Sequence, residues 1–142
     1  MYKLGKRSKK ELVGVHPMLA FVAMEAIKIT KQDFMVFDGV RTAKEQRKLV
    51  QRGVSKTNNS YHLYGGAMDL VAFVKGKPTW DNKYYKEIAN AVKKVIKKHN
   101  IVGIDWGYDL WKWDLAHWQI TKIDGVDARK VYDIRKIDPT KF

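Results

Sequence analysis

The sequence predicts an α+β domain in which helices pack on one small antiparallel sheet. Three observations carry that expectation. Apolar residues recur at helical spacing in two long stretches, residues 17–30 and 81–100. Short apolar runs of strand length lie at residues 34–37 and 70–74, and an alternating one at 117–120. The resulting order, α, β, α, β, α, β, β, suits helices laid on a single sheet. At 142 residues the chain is long enough for one domain, expected to span 1–142.

Residues 1–15 are basic and partly irregular, and the spacing of Ser8 and Glu11 predicts a capping box on a short helical turn. Pro17 suits the first turn of a longer helix, with Leu19, Val22, Ala23, Ala26 and Ile27 on its buried face and an end near Thr30. His16 reads as a cap or a surface residue. The strand at 34–37 is broken by Asp38-Gly39, and Val40-Arg41 leads into a second helix capped by Thr42 and Glu45 and stopped near Gly53. Residues 55–61 are polar and loop-like. A loop carrying His62 and a glycine turn lead to Asp69 at the start of a buried strand, Leu70-Val71-Ala72-Phe73-Val74. Gly76-Lys77-Pro78 turns the chain. Asp81 caps a helix running to about Asn100, with four lysines (93, 94, 97 and 98) near the end where cations suit the helix dipole. Residues 101–104 read as a strand, 105–113 as an aromatic loop, and 117–120 as an alternating strand. Residues 127–135 are a candidate helix, and Pro139 ends regular structure. No internal repeat or linker is evident, and residues 122–142 read as a surface extension of mixed charge.

Composition narrows the chemistry. The absence of cysteine excludes disulfides, thiolate metal sites and a cysteine nucleophile. A hydrophobic content of 45%, with five Trp, seven Tyr and five Phe, marks a folded chain. The net charge of +13 implies attraction to a polyanion: nucleic acid, anionic lipid or an acidic cell-wall polymer. No nucleic-acid-binding motif accompanies that charge, so a specific nucleic-acid partner is not expected. No run approaches the roughly 18 apolar residues of a membrane span. The basic start followed by apolar residues 18–24 reads as a core helix rather than a signal peptide, because Glu11, His16 and Pro17 interrupt it and no small-residue cleavage site follows.

His62 and Asp69 stand seven positions apart with Gly65 and Gly66 between them. Two unlike metal-ligating side chains converge there if the turn folds back, and Asp114-Leu115-Ala116-His117 is the donor of a third. His62, Asp69 and His117 would leave a fourth zinc position open, as in catalytic rather than structural sites. An ordinary core histidine is the competing reading of each imidazole taken alone. Asp114, three residues before His117, could be a ligand, a carboxylate orienting an imidazole, or a base; with three other ligands in place, general base is the economical role. Arg41 lies at a strand-to-helix junction, where a side chain either faces a cleft or is simply solvated. Trp106, Trp111 and Trp113 are equally well read as a cleft wall or as core.

Gly39-Val40-Arg41-Thr42 with Glu45-Gln46, then Ser60-x-His62-x-x-Gly65-x-Ala67-x-Asp69, then Gly103-x-Asp105-Trp106, then Asp114-x-x-His117 resemble, in order and spacing, the zinc D-alanyl-D-alanine carboxypeptidase family. The resemblance is closer to its bacteriophage endolysin branch, the L-alanyl-D-glutamate endopeptidases. The opening, Lys6-Arg7-Ser8 to Val15-His16-Pro17, is similar to that branch as well, so the motifs span about residues 4 to 121.

That resemblance implies a hedgehog/D-Ala-D-Ala-peptidase-like fold, one zinc ion held by His62, Asp69 and His117, and Asp114 as the catalytic carboxylate. It implies that Arg41 binds a substrate carboxylate or stabilises an oxyanion, that Ser60 lines the substrate site, and that Gln46 lies nearby. The implied substrate is the peptidoglycan stem peptide, cut between L-alanine and D-glutamate with a zinc-activated water as nucleophile. A D-alanyl-D-alanine carboxypeptidase is the alternative, and a basic nucleic-acid- or wall-binding module is a more distant one. A monomer is expected, held in the host cytoplasm until a holin opens the membrane. Tyr61 departs from the pattern, standing where a basic residue is more usual.

Overall fold

Small segments of the chain fold around one continuous apolar cluster, and the computed structural model describes all 142 residues. Seven helices are present: α1 (Lys6–Glu11), α2 (Pro17–Ile29), α3 (Ala43–Gln51), α4 (Tyr61–Tyr64), α5 (Tyr85–Lys98), α6 (Gly107–Trp111) and α7 (Ile134–Ile137). The strands are β1 (Phe34–Asp38), β2 (Ala67–Val74), β3 (Lys77–Thr79), β4 (Ile104–Trp106), β5 (His117–Ile120), β6 (Lys122–Ile123) and β7 (Val126–Asp127). The main sheet has the order β1-β2-β5-β4, with β3 also paired to β2. Every pairing is antiparallel, as the expected α+β architecture requires. β6 and β7 form a separate hairpin.

The core follows from the helical spacing. Leu19, Val22, Ala23 and Ala26 of α2 and Ile88, Val92 and Val95 of α5 are buried against Val36, Leu70, Val71, Ala72 and Trp118 of the sheet. Burying a side chain of this size contributes about 1.5–3 kcal/mol, so this cluster is the main source of the rigidity that the rest of the molecule borrows. No helix is long and apolar enough to cross a membrane.

Several local expectations need correction. Ser8 and Glu11 do not cap α1; Ser8 Oγ is buried and accepts from the Val36 N–H at 2.9 Å, while Glu11 Oε1 accepts from the Gly39 N–H. Both residues therefore tie the N-terminal helix to β1. His62 lies on a one-turn helix rather than in a loop, with Ser60 as its cap and Gly65 at φ 84° as its left-handed stop. The fourth strand begins at Ile104, because Gly103 (φ 89°) turns the chain first, and residues 107–111 of the aromatic loop are helical. β5 does not alternate: all four of its residues are buried. Residues 127–135 form a short 3-10 turn (Ala128–Lys130) and the start of α7 rather than one helix. The capping box of Thr42 and Glu45, by contrast, is present in both directions.

Candidate metal centre

The site sits on a row of residues that cross three neighbouring strands. In the β1–β2 ladder Val36 faces Leu70, but Asp38 faces Asp69, so Phe37 is an inserted bulge residue. A bulge of this kind turns the side chains after it to the other face, which brings Asp38 beside Asp69. In the β2–β5 ladder Asp69 faces His117 directly. Cross-strand neighbours share a face, so two of the three expected ligands are brought together by sheet register alone. The third arrives on α4, whose Ser60 cap accepts from the His62 N–H at 3.2 Å. The Arg41 N–H donates to the His62 carbonyl at 3.1 Å and fixes this turn against the end of β1.

His62 Nε2 and His117 Nδ1 are 3.2 Å apart, and each is 3.3 Å from Asp69 Oδ1. Ligand atoms about 2.0–2.2 Å from a tetrahedral zinc lie about 3.3–3.6 Å from one another. The donor triangle therefore already has the size that an ion requires. The hydrogen bonds behind it fit as well. His62 Nδ1 donates to the Gly39 carbonyl at 2.7 Å, so its Nε2 carries the lone pair. His117 Nε2 donates to Gln119 Oε1 at 2.9 Å, leaving the Nδ1 lone pair, and the Gln119 amide donates in turn to Thr121 Oγ1. Two lone pairs and a carboxylate oxygen facing one another call for a cation, and outer partners of this kind set ligand tautomer and basicity.

Charge around the triad is arranged to the same end. Burial pushes the Asp69 carboxyl up, but the facing His62 and His117 outweigh it and hold it well below the ordinary carboxylate range. Burial lowers His117, yet Asp69 hydrogen-bonded to it raises it overall. Arg41 neutralises the acidic side: Nε–H donates to Asp38, Nη2–H to Asp69 Oδ2 at 3.2 Å and Nη1–H to Gln46 Oε1 at 3.1 Å. Gln46, fully buried, donates to Ser55 Oγ and the Thr57 carbonyl, which anchors the loop before Ser60. Arg41 is thus neither solvated nor wholly available; each terminal nitrogen makes one hydrogen bond and keeps a second N–H without a protein partner.

Asp114 joins through the backbone: its Oδ1 accepts from the His117 N–H at 3.2 Å. Burial, and then the nearby Asp69, push its carboxyl above the ordinary range, against the opposing pull of His117. Gly107, first in α6, makes room for this turn, since a Cβ there would lie 2.7 Å from the Asp114 carbonyl oxygen. Of the tryptophans, Trp106 packs inward, stacked on Trp118 with its N–H donated to the Leu115 carbonyl. Trp111 and Trp113 remain 44% and 54% exposed, and the Trp111 ring lies 5.2 Å from that of His117. A surface cavity of about 420 Å³ between α5 and β4 is lined in part by Trp106 and Trp118 but by none of Arg41, Ser60, His62, Asp69, Asp114 and His117.

All seven residues singled out from the sequence (Arg41, Gln46, Ser60, His62, Asp69, Asp114 and His117) therefore belong to one connected network. Sequence reading missed Asp38, Gly39 and Gln119. Gln119 carried a usable signal, because it stands two residues beyond His117 on the same strand face. Gly39 acts through its carbonyl, which no side-chain pattern records.

Known proteins resemble this chain over most of its length. The phage L-alanyl-D-glutamate peptidase family matches residues 1–132. The L-alanyl-D-glutamate peptidase of Escherichia phage T5 is 30% identical over 112 residues, covering 74% of this chain and 82% of that protein. The L-alanyl-D-glutamate peptidase of Listeria phage A118 is 36% identical over 77 residues, covering 54% of this chain and 26% of that protein. The crystal structure of Serratia marcescens L-Ala D-Glu endopeptidase ChiX superposes with a TM-score of 0.74 at 38% identity, covering 82% of this chain and 87% of that one. With a family match over nearly its whole length and the fold of an L-Ala D-Glu endopeptidase, this chain belongs to the phage L-alanyl-D-glutamate peptidase family.

Proposed function

We propose that this protein is a zinc-dependent peptidoglycan endopeptidase of a phage lysis system, cutting the stem peptide between L-alanine and D-glutamate. The single observation that carries the reading is a His62–Asp69–His117 triangle of zinc-matching size in a chain of this family. When bound, zinc would supply Lewis acidity at the scissile carbonyl and lower the pKa of a water to about 7.

The chain's own residues would do the rest. His62, Asp69 and His117 hold the ion, with tautomers set by Gly39 and Gln119. Asp114 takes a proton from the attacking water and returns it to the leaving amine, a role helped by a carboxyl that burial raises above its ordinary range. Arg41 holds Asp69 in place and offers its remaining N–H groups to the D-glutamate carboxylate, to which a guanidinium is well matched. Gln46 fixes Arg41, and Ser60 sets the turn that presents His62. Trp111 and Trp113 line the approach beside His117. The net charge of +13 would concentrate the protein on anionic wall and lipid surfaces, where each Lys or Arg is worth about 1 kcal/mol. In the same reading the enzyme acts as a monomer and reaches the wall from the host cytoplasm once a holin has opened the membrane.

Digestion of purified peptidoglycan, with identification of the new termini, tests this. New D-glutamate amines that disappear on chelation are expected. Release of free D-alanine without them would reassign the activity to a carboxypeptidase.

A further inference from the structure

The C-terminal segment repeats one small device twice. Asp127-Ala128-Arg129 and Asp133-Ile134-Arg135 stand six residues apart. In each, the Asp caps its own turn by accepting from the Arg N–H two residues on, at 2.9 and 3.0 Å. In each, the same carboxylate grips the Arg guanidinium with both oxygens, through Nε and Nη2. A fork held this way is locked in a plane. Both forks are then laid on tyrosines of α4: Arg129 lies 4.3 Å from the Tyr61 ring centre, and Arg135 lies 4.5 Å from that of Tyr64.

Those two tyrosines flank His62 on its single turn of helix. A turn this short has almost no stability of its own, so what surrounds it sets where His62 points. Further contacts from the same segment close the arrangement. Arg129 Nη1 donates to the Asn59 carbonyl at 2.8 Å, just before the Ser60 cap. The Tyr132 hydroxyl donates to the Gly14 carbonyl at 2.9 Å, and its ring lies where a Cβ on Gly65 would approach to 3.0 Å. Ala128 and Ile134 are buried, so this segment is packed rather than a loose extension.

We infer that residues 127–135 form an external brace that positions α4, and with it His62, for metal binding, with Arg129 and Arg135 as its positioning residues. The brace also accounts for Tyr61: a flat ring beside His62 is what the locked Arg129 fork rests on, where a basic side chain would be repelled. The inference rests on the reading of His62, Asp69 and His117 as the metal ligands.

The test compares the full-length protein with its Arg129→Ala/Arg135→Ala variant, and with Lys136→Ala as a control. Zinc affinity is measured by competition with a chelating dye, the cobalt-loaded protein by its visible spectrum, and the metal-free protein by thermal unfolding. Groups hydrogen-bonded directly to metal ligands are worth about 10–100-fold in affinity; Arg129 and Arg135 act one contact further out, so the low end applies and the double variant is expected to bind zinc about tenfold more weakly. Its cobalt spectrum should change, its metal-free form should remain folded, and the control should match the parent. Parental zinc affinity and cobalt spectrum in the double variant would overturn the brace. Should the double variant not fold, Arg129→Lys/Arg135→Lys, which keeps charge but loses the planar fork, carries the same comparison with the same two outcomes. A parent protein that binds no zinc would instead defeat the reading of the metal centre itself.

Discussion

Replacing Gln119 by Leu isolates one hydrogen bond behind the metal centre. In the parent, Gln119 Oε1 accepts the Nε2–H of His117 at 2.9 Å, and both residues are buried. The neutral imidazole of the metal-free variant can escape the loss by moving its proton to Nδ1, where Asp69 Oδ1 lies 3.3 Å away. Metal binding removes that escape, because Nδ1 must then present its lone pair and Nε2–H must point at leucine. The cost of an unsatisfied buried donor, about 1–3 kcal/mol, therefore falls on the metal-bound state. Zinc binding should weaken by about 5- to 150-fold, while the metal-free protein melts within a few degrees of the parent. Gln119→Glu keeps an acceptor at the same place and should bind zinc at least as well as the parent. Dye competition gives the affinities, and circular dichroism gives the melting temperatures. Parental affinity in Gln119→Leu, or an equal loss in Gln119→Glu, would refute the reasoning.

Other perturbations test neighbouring parts of the site. Asp114→Ala should retain zinc, as metal analysis can verify, yet lose about 10²–10⁴ of its turnover; an unchanged rate would remove Asp114 as the base. His117 keeps its proton to higher pH than an ordinary imidazole because Asp69 outweighs the effect of burial. Zinc must displace that proton, so zinc affinity should weaken as pH falls and strengthen as pH rises through the range above about 6.5. An affinity that is flat from pH 6 to 8 would contradict it. A Cβ on Gly39 would lie 1.9 Å from the Glu11 carbonyl oxygen, and the Gly39 carbonyl is also the acceptor for His62. Gly39→Ala should therefore lose about 1–3 kcal/mol of stability and bind zinc more weakly, whereas Gly5→Ala, with open space at its Cβ, should match the parent in both measurements.

The fold was legible where side-chain periodicity reports burial directly. The apolar spacing of α2 named its buried face, that of α5 marked a helix, and the Thr42–Glu45 pair marked the start of α3. Reading failed where a tertiary partner took over a local signal. Ser8 and Glu11 have the spacing of a cap, but the backbone of β1 claims both side chains. β5 lost its alternation because Trp111 and α4 cover the His117 face while the core covers the Trp118 face. The site was legible through its side-chain donors, which must be His, Asp or Glu in a chain without cysteine. What supports them was less so. The Phe37 bulge, the Gly39 carbonyl and the paired Asp-x-Arg turns arise from backbone geometry and from contacts across about 70 residues of chain.

The direct pairing of Asp69 with His117 has a consequence for how the protein matures. Because strand side chains alternate, sliding β5 by a single position along β2 would send His117 to the opposite surface and dismantle the triangle. An ion that binds only the correctly paired chain adds its binding free energy to that arrangement alone. Metal uptake would then act as a proofreading step, withdrawing molecules from misaligned intermediates as soon as the right pairing occurs.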